Sequence, residues 1–245
     1  MLIAGSLTRM MNLEPVSLSY QAYQQIKQRI VSLELPPGSV LRETDLQQEL
    51  HLGRTPIREA LKRLSLEKLV VIVPRRGMFV SEIGLKDLQQ LFEVRLVLES
   101  LAARLAAERG TAGHWQKMEA ALDRLTAEAK PEALMAIDTE CHEIIYEAAQ
   151  NRFLQDTLIT YYALSLRLWY YVLNNLTDMR STLQEHEKIL SALQVGDGDL
   201  AANLMCYHIN TFQAEIQLMM WGKTAGTVTG PIPDYLDSGT EQESG

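Results

Sequence analysis

The sequence predicts a mainly α-helical protein, in which an N-terminal winged helix-turn-helix is followed by an all-α helical bundle. Three observations support this fold class. Apolar residues recur at helical spacing through most of the chain after Gly84, and few stretches alternate with the period of a strand. The exception is one short hairpin pattern near residues 69–80. Charge is also divided, because residues 18–81 carry ten basic and six acidic residues (net +4), whereas residues 82–245 carry twelve and twenty-four (net −12).

From the composition of the chain and of its ends we expect a cytoplasmic protein. We expect residues 1–17 to form a flexible arm and residues 222–245, rich in Gly, Thr, Ser, Pro and Glu, to form a disordered tail. Cys141 and Cys206 give no disulfide framework. No apolar run approaches the roughly 18 residues of a membrane span, and the apolar N-terminus lacks a preceding basic segment. We therefore expect neither a membrane partner nor a signal peptide.

Residues 18–81 are predicted to begin with three helices. Apolar spacing predicts the first from Ser19 to about Leu33, and Pro36-Pro37-Gly38 ends it. Thr44-Asp45-Leu46-Gln47 has capping-box spacing and predicts a short second helix. After the turn His51-Leu52-Gly53, Thr55 is the expected N-cap of a third helix, with Pro56 at its first position. Two short helices joined by such a turn form a helix-turn-helix.

The third helix is predicted to have a buried face and a basic face. Its buried face carries Ile57, Ala60, Leu61 and Leu64, and its basic face carries Arg58 and Lys62, with Arg54 ahead of the predicted cap. Such a helix suits the major groove of DNA. The alternative is an ordinary surface helix whose charges are solvated.

A β-hairpin follows, with strands predicted at Leu69–Val73 and Met78–Val80 and the loop Pro74-Arg75-Arg76-Gly77 between them. An arginine at the tip of such a wing can lie along the DNA backbone or enter the minor groove, whose negative potential favours it. Some winged helices bind proteins instead, and that alternative stays open.

These residues resemble the DNA-binding domain of the GntR family of bacterial transcription regulators. The resemblance spans residues 19–81 and is carried by Pro37-Gly38, Leu46, the run from Gly53 to Leu61, and Pro74-Arg75-Arg76-Gly77. It implies that Arg54 and Arg58 contact bases or phosphates, that Thr55 contacts a phosphate, and that Gly77 lets the wing approach the minor groove. The full set of expected DNA-contacting residues is Arg42, Thr44, Arg54, Thr55, Arg58, Lys62, Arg75, Arg76 and Gly77.

Two departures from the family pattern bear on base preference. Many members carry Gly, Val and Ser where this chain has His51-Leu52-Gly53, and many have an arginine early in the second helix, where Thr44 stands.

Residues 85–221 are predicted to form an all-α bundle of six helices. Glycine, proline and capping residues separate the predicted helices, which run from Lys86 to about Gly110, Thr111 to Ala129, Pro131 to Gln150, Phe153 to Leu176, Thr177-Asp178 to Gly196, and Leu200 to Trp221.

Four residues of this bundle could converge on a transition metal. Asp138 and His142 are four positions apart and share one helix face. His186 and His208 each lie eleven positions from Asp197, so an antiparallel helix pair would bring them level. Three imidazoles and one carboxylate suit zinc first, with nickel or manganese as alternatives. The plainer interpretation is four hydrogen-bonded core residues.

A second resemblance favours the metal. The segment from Phe92 to Glu99, Asp138 with His142, Glu185-His186, and Gly196-Asp197 followed by Ala201 and His208 resemble the FCD domain, the ligand-sensing domain of the FadR-type branch of GntR regulators. The resemblance implies a metal at this place that helps to hold a small carboxylate effector.

Two arginines are candidates for binding the effector. Arg95 is expected to face inward and to pair with the carboxylate, although an ion pair with Glu99 at i+4 would explain it equally well. Arg167 is a weaker candidate, because aromatic packing explains its surroundings.

The sequence therefore predicts a homodimeric transcription regulator that binds a pseudo-palindromic double-stranded operator and responds to a small organic-acid or sugar-acid effector. Whether it acts as a repressor or an activator stays open. The alternative is a metal-dependent hydrolase with a fused winged helix, in which Glu140, Glu143 or Glu185 serves as the base. No His-Glu-x-x-His arrangement supports an enzyme.

Overall fold

The computed structural model describes residues 17–82, 84–126, 129–172 and 180–221. The predicted flexible arm, except Ser17, and the predicted tail lie outside the described residues. The N-terminal elements are α1 (Leu18–Val31), β1 (Val40–Leu41), α2 (Glu43–Leu50), α3 (Arg54–Leu66), β2 (Val70–Val73) and β3 (Gly77–Val80). The remaining described elements are α4 (Leu85–Arg109), α5 (Ala112–Leu122), α6 (Pro131–Ala148), α7 (Arg152–Val172), α8 (Arg180–Gln194) and α9 (Gly198–Trp221).

The N-terminal part is a winged helix-turn-helix around one apolar core. The buried stripe of α3 packs on α1 with Tyr23, Ile26 and Ile30, and Leu46 of α2 joins the same cluster. The hairpin of β2 and β3 gains a third antiparallel strand, β1, in the order β1-β3-β2, with Val40 opposite Phe79. The sequence did not predict β1, because two residues are too few to show an alternating pattern.

Two predicted helix starts are wrong. The N-cap of α3 is Gly53, and Arg54 rather than Pro56 is its first residue. Pro56 is still tolerated in the first turn, where its missing N–H would have no partner within the helix. Helix α2 starts at Glu43 with Arg42 as N-cap, so Thr44 is not a cap, and its hydroxyl donates to Asp45 Oδ1 instead.

The C-terminal part is a helical bundle with one large apolar core. Helices α4 and α9 run antiparallel, since Arg104 Nη1 lies 2.6 Å from Asp199 Oδ1 and the rings of Phe92 and Phe212 lie 5.5 Å apart towards the other end. Helix α5 begins after Thr111, which forms a capping box with His114, and it ends at Leu122, well before the predicted Ala129. The predicted cap at Thr177-Asp178 lies outside the described residues.

Helix α7 joins the two parts. Leu164 packs against the core of the winged helix, and the Arg167 guanidinium bonds to Ser81, just after β3. Among the described residues, no helix combines the length and apolar character that a membrane crossing requires.

Candidate functional site

The structure places Asp138, His142, His186 and His208 together inside the bundle. One ligand atom from each lies within 4.8 Å of all the others, and all four side chains are buried. The Nε2 atoms of His142 and His208 are 3.2 Å apart. Three helices contribute, because α6 supplies Asp138 and His142 one turn apart while α8 and α9 supply one histidine each. The site therefore depends on the packing of α6, α8 and α9.

Two carboxylates lie against Nδ1 of two of these imidazoles, Glu185 through a hydrogen bond and Glu99 through a close ionic contact. Glu99 Oε2 of α4 lies 2.7 Å from His142 Nδ1, and Glu185 Oε2 of α8 lies 2.9 Å from His208 Nδ1. A carboxylate at Nδ1 holds the proton there and leaves Nε2 with a lone pair. Burial lowers the pKa of His208 to about 4, so this imidazole is neutral at neutral pH.

Asp138 is an ionised carboxylate held among these rings. Burial alone would raise its pKa, but the three histidines and a 2.5 Å hydrogen bond from the Tyr162 hydroxyl outweigh burial and lower it. That bond goes to Oδ2. The other oxygen, Oδ1, is buried, and it accepts no hydrogen bond from any described residue; it lies 3.7 Å from His186 Nε2 and 3.8 Å from His208 Nε2.

The cluster fits a divalent transition metal. Two nitrogens bound tetrahedrally to one zinc ion at about 2.1 Å lie about 3.4 Å apart, close to the 3.2 Å separation of the two Nε2 atoms. With Nδ1 protonated on both rings, the facing Nε2 lone pairs repel each other, and a cation between them removes the repulsion. The buried, unbonded Asp138 Oδ1 supplies a fourth donor. Imidazole and carboxylate donors together suit zinc, nickel or manganese.

Arg95 belongs to the same buried network. Its Nε donates to Glu99 Oε1, the intrahelical ion pair that was the alternative interpretation of this residue. Its Nη1 atom is also buried, yet it makes no hydrogen bond to a described residue. Arg95 therefore holds Glu99 in place through Nε and has a donor left for a further acceptor.

Arg167 is engaged elsewhere. Its Nη1 atom donates to the Ser81 hydroxyl, and its Nη2 atom donates to the Ser81 backbone carbonyl oxygen. Both hydrogen bonds are 2.8 Å long. Burial lowers its pKa to about 10. This side chain lies at the boundary between the winged helix and the bundle, and we give it no effector-binding role.

The predicted DNA-contacting residues of the helix-turn-helix lie at the surface. Helix α3 buries its apolar stripe and exposes Arg54, Arg58, Thr55 and Lys62. Arg42 and Thr44, at the start of α2, are exposed as well. The helix thus keeps a packed back and a solvent-exposed basic face.

The wing is a tight hairpin with both arginines exposed. Val73 pairs with Gly77, and residues 74–76 form the loop between them. Gly77 has a φ of +110°, a backbone conformation that residues other than glycine rarely adopt. Arg75 is also in the left-handed region, with a φ of 63°. The Gly77 conformation explains why a glycine follows the two arginines.

Sequence reasoning missed the roles of Glu99, Glu185 and Tyr162. Each contacts a cluster residue across a helix–helix interface, and no spacing along one helix reports such a contact. The sequence offered only an indirect signal for the two glutamates. An imidazole that binds a metal through Nε2 needs an acceptor at Nδ1, so acceptors near the predicted histidine ligands were to be expected.

Two family models match the chain. The model described as "Bacterial regulatory proteins, gntR family" matches residues 18–80, and the model of the FCD domain matches residues 90–211. The HTH-type transcriptional repressor RspR of Escherichia coli K12 is 26% identical over 203 residues, which cover 82% of this chain and 89% of that protein. The galactonate operon transcriptional repressor of the same organism is 29% identical, over 71% of this chain and 85% of that protein.

Solved structures show the same fold. Escherichia coli McbR/YncC superposes with a TM-score of 0.74 at 21% identity, over 84% of this chain and 100% of that one. A putative GntR regulator from Rhodococcus sp. RHA1 superposes with a TM-score of 0.68 at 19% identity, over 81% of this chain and 97% of that one. With the two domain models matched in this order along one polypeptide, the chain belongs to the GntR family of bacterial transcription regulators, in the group that carries an FCD domain.

Proposed function

We propose that this protein is a homodimeric repressor whose binding to a pseudo-palindromic operator is controlled by a small carboxylate metabolite, bound beside a divalent metal in the helical domain. The observation that carries the proposal is the buried convergence of Asp138 with three histidines, two of them oriented by further carboxylates. Repression is favoured by the names of two relatives, both called repressors. Because operators lie on chromosomal DNA, we place the protein in the cytoplasm.

Asp138, His142, His186 and His208 would hold the metal, with zinc as the first choice and nickel or manganese as alternatives. The metal would supply a Lewis-acidic centre with coordination positions left for an oxygen ligand. Glu99 and Glu185 keep the His142 and His208 rings oriented and raise their basicity.

Arg95 is the proposed partner of the effector carboxylate. It is 2% exposed, and its Nη1 donor has no acceptor among the described residues. A carboxylate accepts strongly from a guanidinium, most of all where water is excluded. Galactonate, which appears in the name of one relative, is a sugar acid, and this agrees with a carboxylate effector.

Helix α7 offers a path from the site to the winged helix. Tyr162 donates to Asp138, Leu164 packs against the core of the winged helix, and Arg167 bonds to Ser81. These three residues lie within two turns of one helix. An effector that shifts Tyr162 would thereby shift the contact at Ser81, and it controls DNA binding only if it prefers one of the two arrangements.

An exposed apolar surface supports the homodimer. Val94, Val97 and Leu101 recur on one face of α4 and are 41%, 68% and 41% exposed. Leu200 and Tyr207 of α9 are 46% and 55% exposed, and the antiparallel pairing of α4 with α9 puts Tyr207 level with Val97. A continuous apolar face of this kind favours burial against a second copy. Two winged helices on a two-fold axis then match two half-sites.

The hydrolase alternative gains no support from the matched families or from the relatives named above, which are transcription regulators. Of the candidate bases, Glu140 is paired with Arg124, and Glu185 is bonded to His208.

Metal analysis combined with a ligand screen tests the proposal. The purified protein should hold about one metal per chain, and the variant His142→Ala/His208→Ala should hold far less. Wild-type protein loaded with zinc is then screened by thermal shift against organic and sugar acids. An effector at a hundredfold excess over its Kd stabilises by about 2.7 kcal/mol.

The decisive control is Arg95→Gln, which keeps the four proposed ligands. At saturating zinc we expect it to hold the metal, with a lowered affinity because Arg95 no longer holds Glu99 beside His142, but to lose the thermal shift and the effect of the acid on binding to chromosomal fragments in a gel shift. Full metal content in the double histidine variant would contradict the metal site. A normal acid response in Arg95→Gln would contradict the effector site.

A further inference from the structure

Glu43, the first residue of α2, contacts two basic residues of α3, Arg54 and Arg58. Its Oε2 atom lies 3.1 Å from Arg54 Nε, and its Oε1 atom lies 3.4 Å from Arg58 Nε. The Glu43 side chain is only 20% exposed, whereas those of Arg54 and Arg58 are 71% and 62% exposed. One partly buried carboxylate therefore joins two arginines whose side chains are mostly exposed to solvent.

The contacts use the inner nitrogen of each guanidinium. A guanidinium has five N–H donors, and four of them lie on the two terminal nitrogens. Because Glu43 accepts at Nε of Arg54 and lies close to Nε of Arg58, the terminal edges of both groups remain available. The terminal edge is the one that forms paired hydrogen bonds with guanine O6 and N7.

A carboxylate in this position also opposes DNA binding. It brings a negative charge to a surface that approaches phosphates, and it offsets part of the attraction that DNA of any sequence feels. The arrangement adds little to fold stability, because ion pairs whose arginine side chains are mostly exposed contribute about 0–1 kcal/mol. What the carboxylate does supply is order in two long side chains, whose rotamer entropy would otherwise be lost on binding.

We propose that Glu43 is a positioning residue for operator selectivity. It presets the guanidinium planes of Arg54 and Arg58 for guanine in the major groove, while it weakens binding to DNA in general. The proposal rests on the assignment of these two arginines to DNA contact. A simpler role of Glu43 is to place a negative charge at the N-terminus of α2. That role would stabilise the helix but would not change the selectivity of the protein for one DNA sequence.

The test compares full-length Glu43→Gln with wild type on two probes: a duplex that wild-type protein selects from a randomised pool, and a duplex of the same composition in scrambled order. We expect affinity for the scrambled duplex to rise, with a salt dependence steeper by about one phosphate contact. The ratio of selected to scrambled affinity should fall about three- to tenfold, a fraction of what one bidentate guanine contact provides.

The matched control is Glu49→Gln. It removes the same charge from the same helix, but Glu49 pairs with Arg29, which belongs to α1. It should leave the affinity ratio unchanged. Glu43→Asp keeps the charge at the helix start but has a shorter side chain, so it should keep the thermal midpoint and still lose selectivity.

An unchanged ratio in Glu43→Gln, or in Glu43→Asp if Glu43→Gln does not fold, overturns the positioning role. Unchanged ratios in Arg54→Ala and Arg58→Ala overturn the assignment of these arginines to base contact, and unchanged affinities for both duplexes overturn the DNA-contact assignment itself. If the arginine variants lose selectivity and Glu43→Gln keeps it, only the role of Glu43 is wrong.

Discussion

Replacement of Glu185 tests whether the buried cluster is a metal centre, without removing any proposed ligand. Glu185 Oε2 lies 2.9 Å from His208 Nδ1 and orients that ring. Loss of such an outer carboxylate typically lowers metal affinity about 10- to 100-fold. Glu185→Gln keeps an acceptor oxygen, so its metal affinity should fall about tenfold, or about 1.4 kcal/mol. The metal affinity of Glu185→Ala should fall by close to 100-fold, or about 2.7 kcal/mol.

The assay is a titration of metal-free protein with zinc, in competition with a chromophoric chelator at neutral pH. Burial already keeps His208 neutral there, with a pKa of about 4, so the loss reports the orientation and basicity of the ring and not its protonation. Glu187→Gln, an exposed change on the same helix, is the matched control and should bind zinc as wild type does. If wild type does not bind zinc, the metal centre is refuted; if Glu185→Ala binds zinc as tightly as wild type, a centre in which Glu185 supports the His208 ligand is refuted.

Further predictions concern DNA binding, assembly, coupling and pH. Arg58→Ala should lose about 1–3 kcal/mol of selected-duplex affinity per half-site, measured by gel shift at fixed salt. Val97→Glu should give a monomer in sedimentation, and a dimeric variant would contradict the α4–α9 interface. Arg167→Ala should retain metal and acid binding, yet lose the effect of the acid on DNA affinity. Because the folded pKa of His208, about 4, lies below the unfolded value, metal-free protein should lose up to about 3 kcal/mol of stability in urea titrations as the pH falls from about 6.5 to 4, and zinc should delay that loss.

The sequence predicted the elements well where the local pattern is long. Helices α1 and α3 follow from apolar spacing because each buries one stripe over several turns, whereas α2, which buries only Leu46, was located by its capping-box spacing. The sequence also predicted that His186 and His208 lie side by side on neighbouring helices, because each is eleven positions from the Asp197 turn, and their ring centroids are 4.3 Å apart. The start of α3 was misplaced because Thr55 and Pro56 together suit a helix beginning, while the chain uses Gly53, whose extended φ and ψ already fit an N-cap.

The parts that could not be predicted depend on contacts between elements. Glu99 and Glu185 reach histidines on other helices, and Arg167 reaches Ser81 across the domain boundary. Helix periodicity shows which face of a helix is buried, but it does not show which neighbour that face meets. Strand β1 was missed for a similar reason, because its partner Phe79 lies far along the chain.

The position of α7 limits how this regulator can be altered. Tyr162 and Arg167 are five positions apart on one unbroken helix, a rise of about 7.5 Å, and no hinge separates them. A substitution made on α7 to accept a different acid would tilt or shift both ends together. We expect such variants to change basal repression even when no acid is present, so evolution of a new inducer preference on this helix would require a compensating change near Ser81.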